Sequence, residues 1–137
     1  MNPQQDLADL TGRILISAMF LQAGLAKIAG FTGTQGYMEA MGVPGMLLPL
    51  VIALEVLGAV AIIVGYRTRL AATLLAGFAL LAAVLFHWAP GDRVQGLLFM
   101  KNVAITGGFL FLTARGAGDW SLDARRSATV ARRRVNS

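Results

Sequence analysis

Four ionisable side chains stand within or at the edges of long apolar runs of this sequence: Lys27, Glu55, His87 and Lys101, the last followed directly by Asn102. Charge inside a lipid-spanning run is costly, so each group needs a partner, a water-filled space or a task. A carboxylate flanked by ammonium groups can stay ionised at depth, because opposite charge offsets its lost hydration. Two lysines around one glutamate leave the cluster net positive unless a lysine releases its proton. Either state suits an anion or a carbonyl, such as a quinone head or a small organic acid. His87 would add proton transfer near neutral pH. Lys27, Glu55, His87, Lys101 and Asn102 are therefore the candidate ligand-binding residues, and none is given a catalytic role.

Each has a plainer reading beside it. Lys27 can snorkel to the nearest surface. His87, next to Trp88, can serve as an interfacial anchor. Glu55 is too short to snorkel far, but can form a purely structural ion pair with Lys27 or Lys101. Gln22 lies about 140° around the helix from Lys27 and need not join the group. One histidine and one deep carboxylate do not make a metal shell. A single histidine also excludes bis-histidine haem within one chain. With no cysteine, the chain has no thiolate, disulfide or iron–sulfur chemistry of its own. It carries no cofactor motif, and a quinone is the cofactor that the cluster would suit.

What must position these groups is a membrane bundle. The chain has 137 residues, of which 56% are hydrophobic and 14% charged, against about 25% charged in an ordinary soluble domain. A bilayer core needs roughly 20 apolar residues per helix. Four segments approach that length, near residues 10–29, 46–65, 70–88 and 97–113. The expected fold is all-α: an up-down bundle of four transmembrane helices filling residues 1–123, followed by a basic tail at 124–137. Pro44 and Pro49 crowd the entrance of the second span, and Pro90-Gly91 closes the third. The link 30–45 is the longest, and its Tyr37–Met41 stretch suits a short helix in the interface plane.

Helical spacing indicates which side of each span faces its neighbours. Ser17, Phe20, Gly24 and Lys27 share a stripe, as do Glu55, Gly58, Ala59 and Ile62. Ala72, Ala76, Ala79, Ala83 and His87 form a small-residue face. Small residues let helices approach in membranes, so these faces should pack. The fourth span offers two stripes, Lys101-Ala104-Gly108 and Asn102-Thr106-Phe109-Thr113. Lys101 is expected to point inward with the rest.

Charge sets orientation. Nine arginines flank the side holding both termini and the middle hairpin, against Lys27, Arg93 and Lys101 on the other. The positive-inside rule then puts both termini in the cytoplasm and the polar cluster in the outer half. Asp6 and Asp9 ahead of Arg13 are the wrong sign for a secretory leader. The arginine-rich tail reads as a solvated segment near anionic lipid, and no folded basic module accompanies it to suggest nucleic acid.

The order of several short pieces resembles the DoxX family of small bacterial membrane proteins. They are Gly24-Leu25-Ala26-Lys27 with Gly30-Phe31, Tyr37-Met38 with Gly42-Val43-Pro44, and Glu55-Val56-Leu57-Gly58. Gly65 with Thr68-Arg69-Leu70-Ala71-Ala72, Phe86-His87, Lys101-Asn102 and the stretch from Gly118 to Asp123 complete the set. The resemblance implies a bacterial inner-membrane location and association with redox systems. Together with the converging Lys27, Glu55 and Lys101, this leads to the expectation of a membrane subunit of an oxidoreductase system that binds a quinone-like or small acidic ligand in a polar pocket in the outer half of the bundle, with lipid around it and a redox-enzyme partner beside it. Two alternatives stand. One is small-molecule export, for which four spans are few unless the chain forms an oligomer. The other is a non-catalytic anchor for a redox partner.

Overall fold

The computed structural model describes residues 2–136. It is all-helical, with no strand among the described residues. The helices are α1 (Pro3–Ala29), α2 (Phe31–Ala40), α3 (Leu48–Val64), α4 (Thr68–Phe86), α5 (Arg93–Arg115) and α6 (Leu122–Val135). Four stretches are long and apolar enough to cross a membrane: Pro3–Ala29, Gly45–Val64, Thr68–Phe86 and Arg93–Arg115. The fold class expected from sequence is the one observed.

Local chemistry explains the helix limits. Asn2 caps α1 by accepting from the Gln4 N–H (3.0 Å), with Pro3 as the first helical residue. The helix thus begins about two turns before the expected span. Pro44 holds an extended backbone (ψ 124°) ahead of a 3-10 turn at Gly45–Leu47, and α3 follows with Pro49 in its first turn. Proline is tolerated there because its missing N–H has no helical partner. Gly65 ends α3 in the left-handed region (φ 71°), and its N–H bonds to Ile62 while that of Tyr66 bonds to Ala61. Asp92 caps α5 by accepting from Val94 and Gln95 N–H (2.9 and 3.0 Å), so α5 starts four residues before the expected span.

The helices pack α1 on α3, α3 on α4 and α4 on α5. Phe20 of α1 closes the ring, meeting Phe78 of α4 and Phe109 of α5 edge-on at 6.4 and 5.3 Å. The core is thin and built of small residues: Ala72 and Ala83 are fully covered, and Ala76 and Ala79 nearly so. Gly58 brings α3 against the Leu75 side chain. Large side chains such as Leu15, Leu57, Leu81 and Phe111 face outward, as expected when the solvent is lipid.

The ends of the bundle differ. At the loop end, the first link forms α2, a ten-residue helix that starts earlier and runs longer than the expected turn or two. Gln35 Nε2 donates to the Gly45 carbonyl (3.2 Å), Tyr37 stacks on Phe86 (5.6 Å), and Met38 is buried. At the terminal end, the tail is helical as α6, and its first turn is docked on the α3–α4 hairpin by Asp123.

Candidate functional site

Lys27 and Glu55 meet. Gly24 makes this contact feasible, because a Cβ there would sit 2.6 Å from Val56 Cγ2 and 3.2 Å from Glu55 Cβ. The α1 and α3 backbones therefore approach closely at the level of Glu55. Side chains on a helix lean toward its N-terminus. Lys27, in the last turn of α1, thus leans into the bundle. Its Nζ donates to Glu55 Oε1 at 2.9 Å and stands 2.9 Å from Oε2. The Glu55 side chain is 4% exposed and that of Lys27 27%. The contact to Oε2 lacks hydrogen-bond geometry, so Oε2 is buried without a hydrogen-bond donor. A carboxylate has about four acceptor positions, and Glu55 uses one. Snorkelling outward is not the fate of Lys27.

Lys101 does not join them. It is exposed on the outside of the bundle, and no hydrogen bond or ion pair among the described residues involves it. The second stripe of α5 faces inward instead, with Asn102 8%, Thr106 9% and Phe109 0% exposed. Phe109 fills the centre against Phe20, and that bulk sets the rotation of α5. The expected two-lysine cluster is therefore a single ion pair, neutral as a unit. The Asn102 backbone carbonyl accepts from Thr106 Oγ1 (2.8 Å), a bond internal to the helix.

His87 caps the C-terminal end of α4, half-buried. Its Nδ1 bonds to Gln95 Oε1 at 2.8 Å, tying α4 to the first turn of α5. It lies at the same end of the bundle as the ion pair, but no hydrogen bond joins the two among the described residues. Trp88 stacks edge-on with Phe99 (5.5 Å).

Sequence reasoning passed over the most completely buried charge. Arg13, counted only toward orientation, is 1% exposed. Its Nη1 donates to the carbonyls of Ile62 (3.1 Å) and Ile63 (2.9 Å), and its Nη2 to that of Trp120. The last carbonyls of a helix have no partner within it, and a cation there also faces the negative end of the helix dipole. Arg13 thus caps α3 from another helix. Spacing held the signal: Arg13 lies four, seven and eleven residues before Ser17, Phe20 and Gly24, and the buried Asp6 lies seven before Arg13. An expected helix start at residue 10 hid the extra turns.

Around Arg13 the terminal end is knitted by backbone. A Cβ at Gly65 would fall 2.3 Å from Ser121 Cβ and 2.8 Å from Arg13 Nη1. Asp123 accepts from the Arg67 N–H (2.8 Å) and the Thr68 N–H (2.9 Å), capping α4. Burial pushes the Asp123 carboxyl up, but the N–H groups of Thr68 and Arg67 and the charge of Arg126 outweigh it, and the group is held below its usual range. A cleft of about 1280 Å³ opens at this end, beside α6.

Comparison with known proteins agrees with the architecture. The sequence model of the DoxX family matches residues 8–88. Inner membrane protein YqjF of Escherichia coli is 51% identical over 123 residues, which is 90% of this chain and 95% of that protein. Inner membrane protein YphA of the same organism is 40% identical over 123 residues, 85% of this chain and 88% of that protein. The putative oxidoreductase CatD of Bacillus subtilis is 29% identical over 76 residues, 56% of this chain and 57% of that protein. No solved structure matches. The family match and the long Escherichia coli alignments, together with four membrane-capable helices, show that the chain is an inner membrane protein belonging to the DoxX family.

Proposed function

We propose that this protein is the membrane subunit of an oxidoreductase system and that it holds a quinone-like ligand at the Lys27–Glu55 pair. One observation carries the reading: Glu55 is buried, and its Oε2 has no polar neighbour among the described residues beyond the Lys27 ammonium 2.9 Å away, whose side chain is still 27% exposed. A buried acceptor left open costs free energy unless something fills it. The reduced form of a quinone fits that need: a quinol hydroxyl would donate to Glu55 Oε2, and Lys27 would donate to a carbonyl oxygen of the oxidised form. Because Lys101 stands outside, the pair is neutral, which favours such a ligand over the small organic acid that a net-positive cluster would hold. When bound, the quinone supplies electron-carrying chemistry that the side chains lack. The name of the Bacillus subtilis relative, an oxidoreductase, points the same way. In this reading the termini face the cytoplasm, as the arginine excess at that end favours. Lys27, Glu55 and His87 then belong to the outer half.

The test is quinone content. Protein purified from native membranes should carry quinone above the level of the surrounding lipid, and Glu55→Gln should lose it. Equal content in both proteins overturns the reading. The seam at Gly24 favours a second reading, in which the pair only fastens α1 to α3. Then Glu55→Gln lowers the melting temperature while the quinone content stays as it was.

A further inference from the structure

The cleft at the terminal end lies far from the Lys27–Glu55 pair in the bundle and has no part in the proposed ligand site. It lies between α6 and the adjoining ends of α4 and α5. Arg67, Arg69, Arg115, Arg126 and Arg134 line it, against Asp119 and Asp123. Asp123 already serves the Arg67 and Thr68 N–H groups. Arg69 lines the cleft while its Nη1 and Nη2 donate to the Thr113 and Arg115 carbonyls at 3.4 Å each. The lining also includes apolar Leu70, Ala117, Val130 and Ala131.

On the tail helix Arg126 and Arg134 line the cleft with Ser127, Val130 and Ala131, whereas Arg125, Arg132 and Arg133 do not. Thr68 begins one membrane-capable helix and Arg115 ends another, so the cleft stands at the height where spans meet lipid headgroups.

We propose that this arginine-lined cleft binds a phosphate-bearing anion, and that the anion is the headgroup of an acidic phospholipid. Guanidinium forks match phosphate oxygens and stay charged at any physiological pH. The apolar lining gives the glycerol and first acyl carbons a wall, which a free phosphate ion would not use. Basic residues at a membrane face attract acidic lipid in any case. Here the binding falls to the lining arginines in particular, Arg126 and Arg134 of α6 and Arg115 at the end of α5.

The experiment titrates the full chain with phosphatidylglycerol and with phosphatidylcholine, reading bound lipid by native mass spectrometry. Two triple variants remove equal charge: Arg115→Gln/Arg126→Gln/Arg134→Gln from the cleft lining, and Arg125→Gln/Arg132→Gln/Arg133→Gln from tail positions outside it. The cleft variant should weaken phosphatidylglycerol binding on the order of a hundredfold, and the outer variant only a few-fold. Near-equal losses would mean diffuse attraction to a basic tail, and phosphatidylcholine binding as tightly as phosphatidylglycerol would remove the charge argument; either overturns the proposal. A third arm adds inorganic phosphate alone. Weak binding supports the lipid assignment, whereas tight binding that the cleft variant abolishes would overturn it in favour of a free anion. All six arginines are exposed, and matching melting temperatures for the two variants would show that both fold.

Discussion

The two ends of the bundle bury charge with different partners, though each leaves one buried atom without a hydrogen bond, Arg13 Nε at one and Glu55 Oε2 at the other. At the terminal end Arg13 is 1% exposed and bonds to three backbone carbonyls on two separate segments. At the loop end Glu55 is nearly as buried, yet accepts one hydrogen bond, from the tip of a lysine that keeps partial exposure. The acceptors of Arg13 are fixed by the fold. The single partner of Glu55 is a long side chain able to swing away. Burial alone therefore does not distinguish a brace from a site. The number and stiffness of the partners do.

Breaking each end should expose the difference. Arg13→Met removes the side-chain donor to the Ile62, Ile63 and Trp120 carbonyls, of which Ile62 keeps the Gly65 N–H. Bonds to a charged group contribute about 1.5–3 kcal/mol each before relaxation, so a loss of about 4 kcal/mol is expected in detergent unfolding. A melting temperature unchanged from the parent protein would remove the brace from the account. At the loop end, Lys27→Met leaves a carboxylate buried without its cation and should cost about 3 kcal/mol. Adding Glu55→Leu should restore most of that, because an apolar pair of similar size loses no unmet charge. A double variant as unstable as the single would show that the ion pair is itself the fastening.

The smallest effect sharpens the picture of the terminal end. Asp123→Ala removes the cap on α4 and should cost about 1 kcal/mol. Its pH dependence has a definite sign. The Asp123 carboxyl is held below its usual range in the folded chain, so its contribution is present above the ordinary value and is lost as pH falls through the lowered one. Asp123→Asn should flatten that acid limb in a melting series against pH. A parallel limb in both proteins would place the titrating group elsewhere.

The alanine face of α4 was legible from spacing, because four small residues on one stripe have no other use in lipid. The Glu55 stripe was legible for the same reason. Adjacent Lys101 and Asn102 were harder. Their stripes lie about 100° apart, both contain small or polar residues, and only the volume of Phe109 against Phe20 decides between them. Lys27 and Lys101 show a further limit. Both lie toward the loop end, but α1 runs toward that end and α5 away from it, so the same N-terminal lean tips Lys27 toward mid-bundle and Lys101 toward the loop end. Residue type and depth do not carry that sign, whereas chain direction does. Arg13 escaped notice because its acceptors are backbone atoms about 50 and 107 residues away, and carbonyls leave no mark in a list of side chains. The helix of the tail was hidden by composition that reads simply as basic.

The bond from Arg13 to Trp120 has a consequence for how the molecule is made. A ribosome delivers Arg13 to the translocon long before Trp120 exists. In the interval the guanidinium can reach the end of α3, but the strand of chain that seals the joint has not yet been synthesised. Until then two of its three carbonyl partners are already in place, and the joint is completed only when the chain reaches Trp120.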